Sequence, residues 1–402
     1  MVDHASRHVP LYRRLYPADA GHRLRQLDDL SRLPFTDKDM YQATAAVELM
    51  SGRPPPGSRR IESSGSTGQP VEVYYSPRAA WYQGVLKLQR ERAIGLRPWE
   101  RRFSISEPDE RSRRGIESWI KRRALRIPGT ESPAVLARSV LEWRPVSISG
   151  HGQQLLELGE ELGGAFRPRL LAAHGESLDL WTRRALASAF AREPLDGYGT
   201  SEQGIVAWQC GAVDLYHVNH EAVVVEVLDD GGRPVSPGGT GELVLTGLWN
   251  PLMPILRYRI GDIGTLADRP CACGYRLPAL RAITGRTMDW VVDGNGRRVA
   301  PQRLWIEMDP RDWAAVLRVV RRYQVHQEHD GTVLVDIVAR GRLPEAFVDT
   351  VLARYRGVLG QQAVVKVRQV GEIPLDPSGK FRLISSALGR RDVATGAGPT
   401  RS

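Results

Sequence analysis

The sequence predicts an α/β protein with a large N-terminal domain, residues 1–288, and a small α+β domain, residues 289–392. Strand-like apolar runs alternate with amphipathic helical stretches through the first half of the chain. Later runs read as antiparallel strands, and short strands and helices alternate again towards the C-terminus. With 402 residues and 42% hydrophobic content, the chain is long enough to bury one large core and a smaller one.

The first half supplies the alternating pattern. Strands are predicted at 71–75 and 169–173, and helices at 79–94, 155–162 and 178–190. Residues 222–228 and 242–246, on either side of a turn-forming stretch, are predicted as antiparallel strands of a meander or small barrel. The large domain should therefore combine mixed sheets with this antiparallel part.

The C-terminal part predicts a separate small layer of strands and helices. Strands are expected at 324–326, 332–339 and 364–367, and helices at 313–323 and 344–359. Residues 393–402 are rich in small and polar residues, which predicts a flexible tail.

Charge and composition exclude several classes of protein. The net charge of +10 comes mostly from dispersed arginines, concentrated at 101–126 without a nucleic-acid-binding signature. Such a face is either solvated or favours anionic ATP, carboxylate or CoA. No apolar run reaches the ~20 residues of a membrane span, and no signal-peptide core is present. Three cysteines argue against a disulfide scaffold, so we expect a cytoplasmic protein without membrane insertion or a nucleic-acid partner.

A loop rich in hydroxyls and glycines is the most informative local feature. Residues 63–70 read Ser-Ser-Gly-Ser-Thr-Gly-Gln-Pro. Glycines allow successive backbone N–H groups to converge on one anion, and hydroxyls add neutral donors. The loop lacks the lysine of a Walker motif, since Gln69 stands at that place. It predicts a phosphate-binding loop, with a solvated turn as the alternative.

Three further motifs follow in order, and the first of them is predicted as a flexible, hydroxyl-bearing loop. They are Asp-Gly-Tyr-Gly-Thr-Ser-Glu-Gln-Gly at 196–204, Leu-Arg-Tyr-Arg-Ile-Gly-Asp at 256–262, and Pro-Leu-Asp-Pro-Ser-Gly-Lys-Phe-Arg at 374–382. This ordered set resembles the adenylate-forming superfamily of acyl-CoA synthetases, luciferases and peptide-synthetase adenylation domains. The resemblance extends from about residue 61 to residue 383.

Within that superfamily, the chain is most similar to the phenylacetate-CoA ligase group, including its capsule-biosynthesis relatives. The residues that carry this likeness are 198–202 with Cys210 and the Tyr-His pair at 216–217, then 241–246, 254–259, 271–274 and 285–286.

The resemblance implies activation of an aromatic or other small carboxylic acid by ATP, with Mg²⁺ and with CoA as acceptor. It implies that the β and γ phosphates are cradled by Ser63, Ser64, Gly65, Ser66, Thr67 and Gly68. Thr200 would lie by the α-phosphate, Glu202 would help hold Mg²⁺, and Tyr198 with Gly199 would lie beside adenine. Asp262 would accept hydrogen bonds from the ribose hydroxyls, and Arg286 would contact ribose or phosphate.

The resemblance also assigns Lys380 as the catalytic lysine, whose ammonium offsets charge between the carboxylate and the α-phosphate. The C-terminal domain would rotate about a hinge near 286–290 as a mobile lid. Met288-Asp289 replaces the more usual paired acids there, so the hinge residue stays open. A homodimer is expected only from the family.

A structural zinc site is predicted from the cysteines. Cys271 and Cys273 are one residue apart, and Cys210 with His217 offers two further ligands. His220 could replace His217, and three unrelated buried cysteines are the alternative. Such a closed site would have a structural role only.

The acyl pocket is less well marked. By likeness, His174, Gly175 and Glu176 stand beside it, and Trp81, Tyr82 and Trp208 could form an aromatic wall unless they belong to the core.

Three functions remain open. The first is an AMP-forming acid-CoA ligase, and the second is an adenylate-forming ligase that transfers to an amine or a carrier-protein thiol. The third is a non-catalytic nucleotide-binding homologue, against which the joint presence of Glu202, Asp262 and Lys380 argues.

Overall fold

The computed structural model describes residues 1–62, 70–106, 123–176, 178–212, 215–286, 290–306, 313–374 and 381–388. The chain divides into two compact units. Unit 1 comprises Met1–Ile283 with Asp376–Phe381, and unit 2 comprises Thr284–Leu375 with Arg382–Ser402. The predicted phosphate loop at 63–68, the hinge residues 287–289, Lys380 and the predicted tail lie outside the described residues, as does the side chain of Arg286.

Unit 1 contains eight described helices. They are α1 (Val2–His8), α2 (Pro10–Leu15), α3 (Ala20–Arg23), α4 (Lys38–Ala43), α5 (Pro77–Ala93), α6 (Pro133–Trp143), α7 (Gly152–Leu162) and α8 (Leu180–Phe190). Short 3₁₀ turns span Leu27–Arg32 and Ala46–Leu49.

Its described strands begin with the N-terminal group β1 (Thr36–Asp37), β2 (Arg59–Glu62), β3 (Glu72–Tyr75), β4 (Arg102–Ile105), β5 (Ala124–Ile127), β6 (Ser147–Gly150) and β7 (Leu170–His174). The later strands are β8 (Leu195–Thr200), β9 (Gly204–Gln209), β10 (Tyr216–Val218), β11 (Val223–Leu228), β12 (Thr240–Gly247), β13 (Tyr258–Leu266) and β14 (Ala279–Arg286), the last of which runs into unit 2.

Twelve of these strands form one mixed sheet, in the order β11-β12-β13-β14-β10-β9-β8-β7-β6-β4-β5, with β1 beside β13. Strands β4 to β8 pair in parallel, whereas β8, β9 and β10 pair antiparallel. The change of direction follows from the connections, since helices α6 to α8 join the parallel strands and a short turn joins β8 to β9. The α/β prediction is confirmed, as is the antiparallel pairing of residues 222–228 with 242–246.

Local sequence signals explain where the helices begin and end. The side chain of Ser76 accepts from the Ala79 N–H ahead of Pro77, and Asp179 accepts from the N–H groups of Trp181 and Thr182. Helix α7 ends at Gly163 with φ of 54°. These caps orient α5 and α8, whose buried residues pack beneath the sheet.

The N-terminal segment is anchored to β13 through buried polar groups. The Tyr12 hydroxyl lies 2.7 Å from that of Tyr41 and accepts from the Leu256 N–H at 3.0 Å. Arg257 follows Leu256 and is bonded to Glu226 and to two main-chain carbonyls. This network holds the start of β13, the strand that carries Asp262.

Unit 2 is a small α+β layer. Its elements are β15 (Val291–Val292), β16 (Arg298–Val299), α9 (Trp313–Val319), β17 (Val320–Gln327), β18 (Val333–Ala339), α10 (Glu345–Leu359), β19 (Val365–Val370) and β20 (Ile384–Ser386). The strands of its main sheet run in the order β19-β18-β17-β20. Helix α10 buries Phe347, Val351, Tyr355 and Leu359 at helical spacing.

Two predicted elements differ from the structure in type. The helix expected at 313–323 ends at Val319, where β17 begins and pairs with β18. The stretch 196–204, expected as a flexible loop, forms the end of β8, a short turn and the start of β9. Among the described residues, no helix has the length and apolar composition needed to cross a bilayer.

Candidate active site

The parallel strands β7 and β8 end side by side, with His174 opposite Gly197 in register. In open α/β sheets, ligands bind at the carboxyl ends of parallel strands. His174-Gly175-Glu176 lie at and beyond the end of β7, and Tyr198 to Glu202 lie at and beyond the end of β8. The fold therefore brings two separately predicted motifs to the same sheet edge.

Thr200 is positioned by the tight turn between β8 and β9. Its Oγ1 accepts from the Gln203 N–H at 3.0 Å, and Gln203 Nε2 in turn donates to the Ala222 carbonyl at 3.1 Å. Gly204 has φ of +74°, which permits the reversal. The hydroxyl is thus presented on a braced turn.

Glu202 lies in the same turn and is only 6% exposed. Burial raises the pKa of its carboxyl, the hydrogen bond from Thr200 lowers it, and the neighbouring charge of Asp262 raises it further. The charge of Lys38 acts in the opposite direction. Two nearby carboxylates in a desolvated place favour a cation between or beside them.

Asp262 and Tyr198 contact one another directly. The Tyr198 hydroxyl donates to Asp262 Oδ2 at 2.6 Å, which joins the end of β8 to β13 across the sheet. A carboxylate has room for about four hydrogen bonds, so Asp262 can accept from a second donor as well. The structure brings the predicted adenine-side and ribose-side residues together.

His174, Gly175 and Glu176 form the second part of the edge. Burial lowers the pKa of His174 to about 4, and the charges of His151 and Arg90 add to this, so its imidazole is neutral at pH 7. Glu176 Oε1 lies 3.6 Å from His151 Nδ1 and accepts from the backbone N–H of Phe381 at 2.9 Å. Phe381 belongs to unit 1 and directly follows Lys380 in the chain.

The aromatic residues proposed for an acyl pocket each have a different environment. The Tyr82 hydroxyl donates to the Glu221 carbonyl at 3.0 Å, and its ring lies 6.1 Å from that of Trp249. Trp81 is 63% exposed, and Trp208 packs edge-on against His217 with ring centroids 4.9 Å apart. The aromatic wall of Trp81, Tyr82 and Trp208 around one ligand stays a prediction.

A polar face of α5 was missed by sequence reasoning. Gln83, Lys87 and Arg90 have the i, i+4, i+7 spacing of one helical face. Gln83 hydrogen-bonds Tyr75, and the Arg90 guanidinium packs against Gly197 so closely that a Cβ there would lie 2.8 Å from Nη2. The polar spacing inside a predicted helix was the available signal.

Cys210, His217, Cys271 and Cys273 converge on one point, with their ligand atoms all within 4.8 Å of one another. Cys210 Sγ lies 3.7 Å from Cys271 Sγ, and Cys273 Sγ lies 3.5 Å from His217 Nε2. The alternative ligand, His220, instead has Nε2 2.8 Å from the Pro278 carbonyl. Of the two histidines, His217 is the one that belongs to the cluster.

The chemistry of this cluster suits a thiophilic cation. Burial raises the pKa of Cys210 to about 12 and lowers that of His217. Burial opposes ionisation of Cys273, but hydrogen bonds from the Tyr275 N–H and from the neighbouring thiols together lower its pKa. Three sulfurs and one imidazole nitrogen at this separation match the donor set of a tetrahedral structural zinc site.

The overall fold of the chain matches that of a solved structure. The predicted adenylate-forming fold is confirmed by its likeness to a solved 2-hydroxyisobutyryl-CoA ligase in the postadenylation state, with a TM-score of 0.76 and 18% identity. The match covers 96% of this chain and 87% of that chain.

Curated sequences narrow the likeness. The chain is 27% identical over 357 residues to the phenylacetate-coenzyme A ligase of Thermus thermophilus, which covers 83% of this chain and 77% of that protein. It is 26% identical over 323 residues to the phenylacetate-coenzyme A ligase of Escherichia coli, covering 75% and 72%. No family model matches the chain. The predicted resemblance to the phenylacetate-CoA ligase group is confirmed by these sequences.

Proposed function

We propose that this protein is an AMP-forming acid-CoA ligase. The carboxylate of a small acid attacks the α-phosphorus of ATP and releases pyrophosphate, and the CoA thiolate then attacks the acyl carbon and releases AMP. The relatives named phenylacetate-coenzyme A ligase support this reaction class. The observation that carries it is the convergence of Thr200, Glu202 and the Tyr198–Asp262 pair at the end of β8.

In this proposal, Asp262 and Tyr198 orient the nucleoside, and Thr200 lies beside the α-phosphate. Glu202 is the proposed Mg²⁺ ligand, and the mutual repulsion of Glu202 and Asp262 supports a cation there. The metal would neutralise phosphate charge. Because the Glu202 carboxyl is buried and braced by Thr200, it is held in place before the nucleotide binds.

The remaining catalytic assignments rest on sequence. We propose that residues 63–68 bind the leaving phosphates, that Arg286 contacts the nucleotide, and that Lys380 offsets the charge of the reacting carboxylate and phosphate. The hydrogen bond from Phe381 to Glu176 supports the last assignment, because it holds the residue after Lys380 at the end of β7.

We also propose that Cys210, His217, Cys271 and Cys273 hold a structural Zn²⁺. Four protein ligands leave no open position for a substrate, so the metal would act on folding alone. It would tie the segment after β9 to the segment after β13. A cytoplasmic location, a mobile C-terminal domain and a homodimer remain proposals from the family likeness.

The test is carboxylate-dependent ATP–pyrophosphate exchange over a panel of aryl and aliphatic acids. Exchange with one acid, followed by AMP release that requires CoA, is the expected result. Exchange with AMP release only on addition of an amine or a carrier protein would assign another acceptor. Absence of exchange with every acid would refute the adenylation proposal.

A further inference from the structure

One face of α5 carries Arg90, whose guanidinium lies against Gly197 of β8. Gln83, Lys87 and Arg90 share this face. A Cβ on Gly204 would meet Gln83 Nε2 at 2.4 Å, and one on Gly197 would meet Arg90 Nη2 at 2.8 Å. The two ends of this face therefore lie over two different positions of the β8–β9 hairpin.

Among the described residues, no carboxylate forms an ion pair with Arg90. Its buried Nε makes no hydrogen bond, and no carboxylate of the described residues lies within ion-pair distance of its guanidinium. Burial lowers the pKa of Arg90, which the more distant charges of Glu91 and Asp196 only partly oppose. A desolvated guanidinium without a contacting anion is unfavourable for the folded state. Binding of an anionic ligand group would relieve this cost.

The neighbouring acids are already engaged. Glu91 Oε2 pairs with Arg102 at 3.1 Å, and its Oε1 lies 3.8 Å from Lys87 Nζ. Asp196 accepts a hydrogen bond from the Tyr216 hydroxyl at 2.5 Å. Neither Glu91 nor Asp196 lies within ion-pair distance of the Arg90 guanidinium.

Positive charge is in excess around this face. The Lys87 side chain is 52% exposed, yet surrounding protein lowers its pKa, Glu91 opposes the shift, and the charges of Arg126, Arg102 and Arg90 add to it. His174 is neutral at pH 7 and contributes no compensating charge. An entering anion would therefore be attracted by both Lys87 and Arg90.

The position of Arg90 relative to Thr200 sets a length. Three residues of β8 separate Gly197 from Thr200, which corresponds to about 10 Å along a strand. The seven residues from Gln83 to Arg90 give about the same distance along a helix. After a hydrogen-bond length of about 2.8 Å at each end, a gap of about 4 to 5 Å remains. About two or three methylene groups between the carboxylates fill such a gap, and a para-substituted benzene ring is longer than the gap.

We propose that the acid activated by this enzyme carries a second carboxylate, which Arg90 binds with the help of Lys87. The inference rests on the proposed function and names its substrate class as a dicarboxylic acid. Arg90 can bind the second carboxylate through two parallel N–H···O bonds, while the first carboxylate reacts near Thr200. The position of Arg90 on α5 then selects acids by the distance between their two carboxylates.

The experiment compares acids in pairs that differ only by the distal carboxylate, such as propanoate with succinate and butanoate with glutarate, with benzoate and terephthalate as a longer pair. The readout is kcat/KM for ATP–pyrophosphate exchange with the full-length protein. The wild type should prefer the diacid of a matching length. Arg90→Gln should lower kcat/KM for that diacid by about 10- to 100-fold, the range of one charge-assisted hydrogen-bonding group, and leave the monoacid within about threefold.

Arg92→Gln is the matched control, because Arg92 lies on the exposed side of the same helix. It should leave both acids unaffected. Arg90→Lys, which keeps the charge but not the planar fork, should give an intermediate loss. Thermal unfolding of each variant checks that the fold is retained, and direct titration with the diacid gives a binding readout that is independent of turnover.

The possible outcomes are distinguishable. A wild-type preference for monoacids, or equal loss for both acids in a folded Arg90→Gln variant, would overturn the second-carboxylate inference and leave adenylation standing. Failure of the diacid to bind a folded wild type in the titration would also overturn it. Absence of exchange with every acid would refute the proposed function and this inference with it.

Discussion

The buried ion pair of Arg257 makes the sharpest stability prediction. Arg257 is 2% exposed, and its Nε and Nη2 donate to the two carboxylate oxygens of Glu226 at 3.1 and 2.9 Å. Its Nη1 donates to the carbonyls of Ser31 and Leu33 at 3.0 and 2.6 Å. The guanidinium also lies 4.1 Å from the centroid of the Phe35 ring. One side chain thus joins the N-terminal segment, β11 and the start of β13.

Arg257→Met keeps the apolar stem and removes the guanidinium. It leaves the Glu226 carboxylate and two carbonyls without their donor, a loss of about 3 to 5 kcal/mol of unfolding free energy for a broken buried pair. Arg259→Met is the matched control, two residues further along the chain and inside β13. Its side chain is 38% exposed and pairs with Glu242 at 2.6 Å, so its loss should stay below about 1 kcal/mol.

Urea unfolding followed by tryptophan fluorescence measures the loss of stability, and hydrogen exchange over Tyr258–Leu266 measures whether β13 opens locally. The double change Arg257→Met with Glu226→Leu should cost less than the two single changes together, because it removes both buried charges. Equal effects of Arg257→Met and Arg259→Met, or full additivity with Glu226→Leu, would refute this account. Since β13 carries Asp262, we also expect Arg257→Met to weaken ATP binding.

Four further outcomes follow from the site. Lys380→Ala should slow adenylate formation by about 100- to 1000-fold with folding intact, and normal turnover would remove its assignment. Asp262→Ala should weaken ATP binding by about 10- to 100-fold in equilibrium dialysis, whereas an unchanged affinity would count against a ribose contact. Glu202→Gln should raise the Mg²⁺ concentration that half-saturates exchange, and an unshifted Mg²⁺ curve would exclude it as a ligand. Protein purified without added metal should contain about one Zn per chain, and Cys271→Ala should lose it together with thermal stability; a stable metal-free wild type would reject the site.

Periodicity located most elements because strand and helix spacing are local properties of the chain. The helix predicted at 79–94 is α5 (Pro77–Ala93), and the strand predicted at 169–173 is β7 (Leu170–His174). The helix predicted at 313–323 was too long, because Val320 to Tyr323 pair with β18. Long-range pairing, which is not visible in a local window, overrode the helical pattern there.

For the metal cluster too, the sequence predicted one part of the site and the tertiary structure decided the other. Three cysteines and two histidines could be enumerated from the sequence, together with the donor chemistry of zinc. The choice of His217 over His220 depended on the packing of β10 against β14, which brings the His217 ring to the cysteines and leaves His220 near the Pro278 carbonyl. His217 lies in β10, whereas His220, three residues later, lies beyond the end of that strand, and local spacing alone did not predict this difference.

The sequence by itself determined the α/β class, the order of the four motifs and the donor types that phosphate, ribose and zinc would need, because these follow from local periodicity and side-chain chemistry. Only the tertiary structure decided that Tyr198 donates to Asp262 and that Glu202 is buried beside it. It also decided that Arg90 lies over Gly197, with no carboxylate from the described part of the chain paired to it. The physical reason is that burial and pairing depend on strands and helices far apart in the chain. Arg90 is one of many arginines in the sequence. Its proposed role could be inferred only from the packing of β8 against α5.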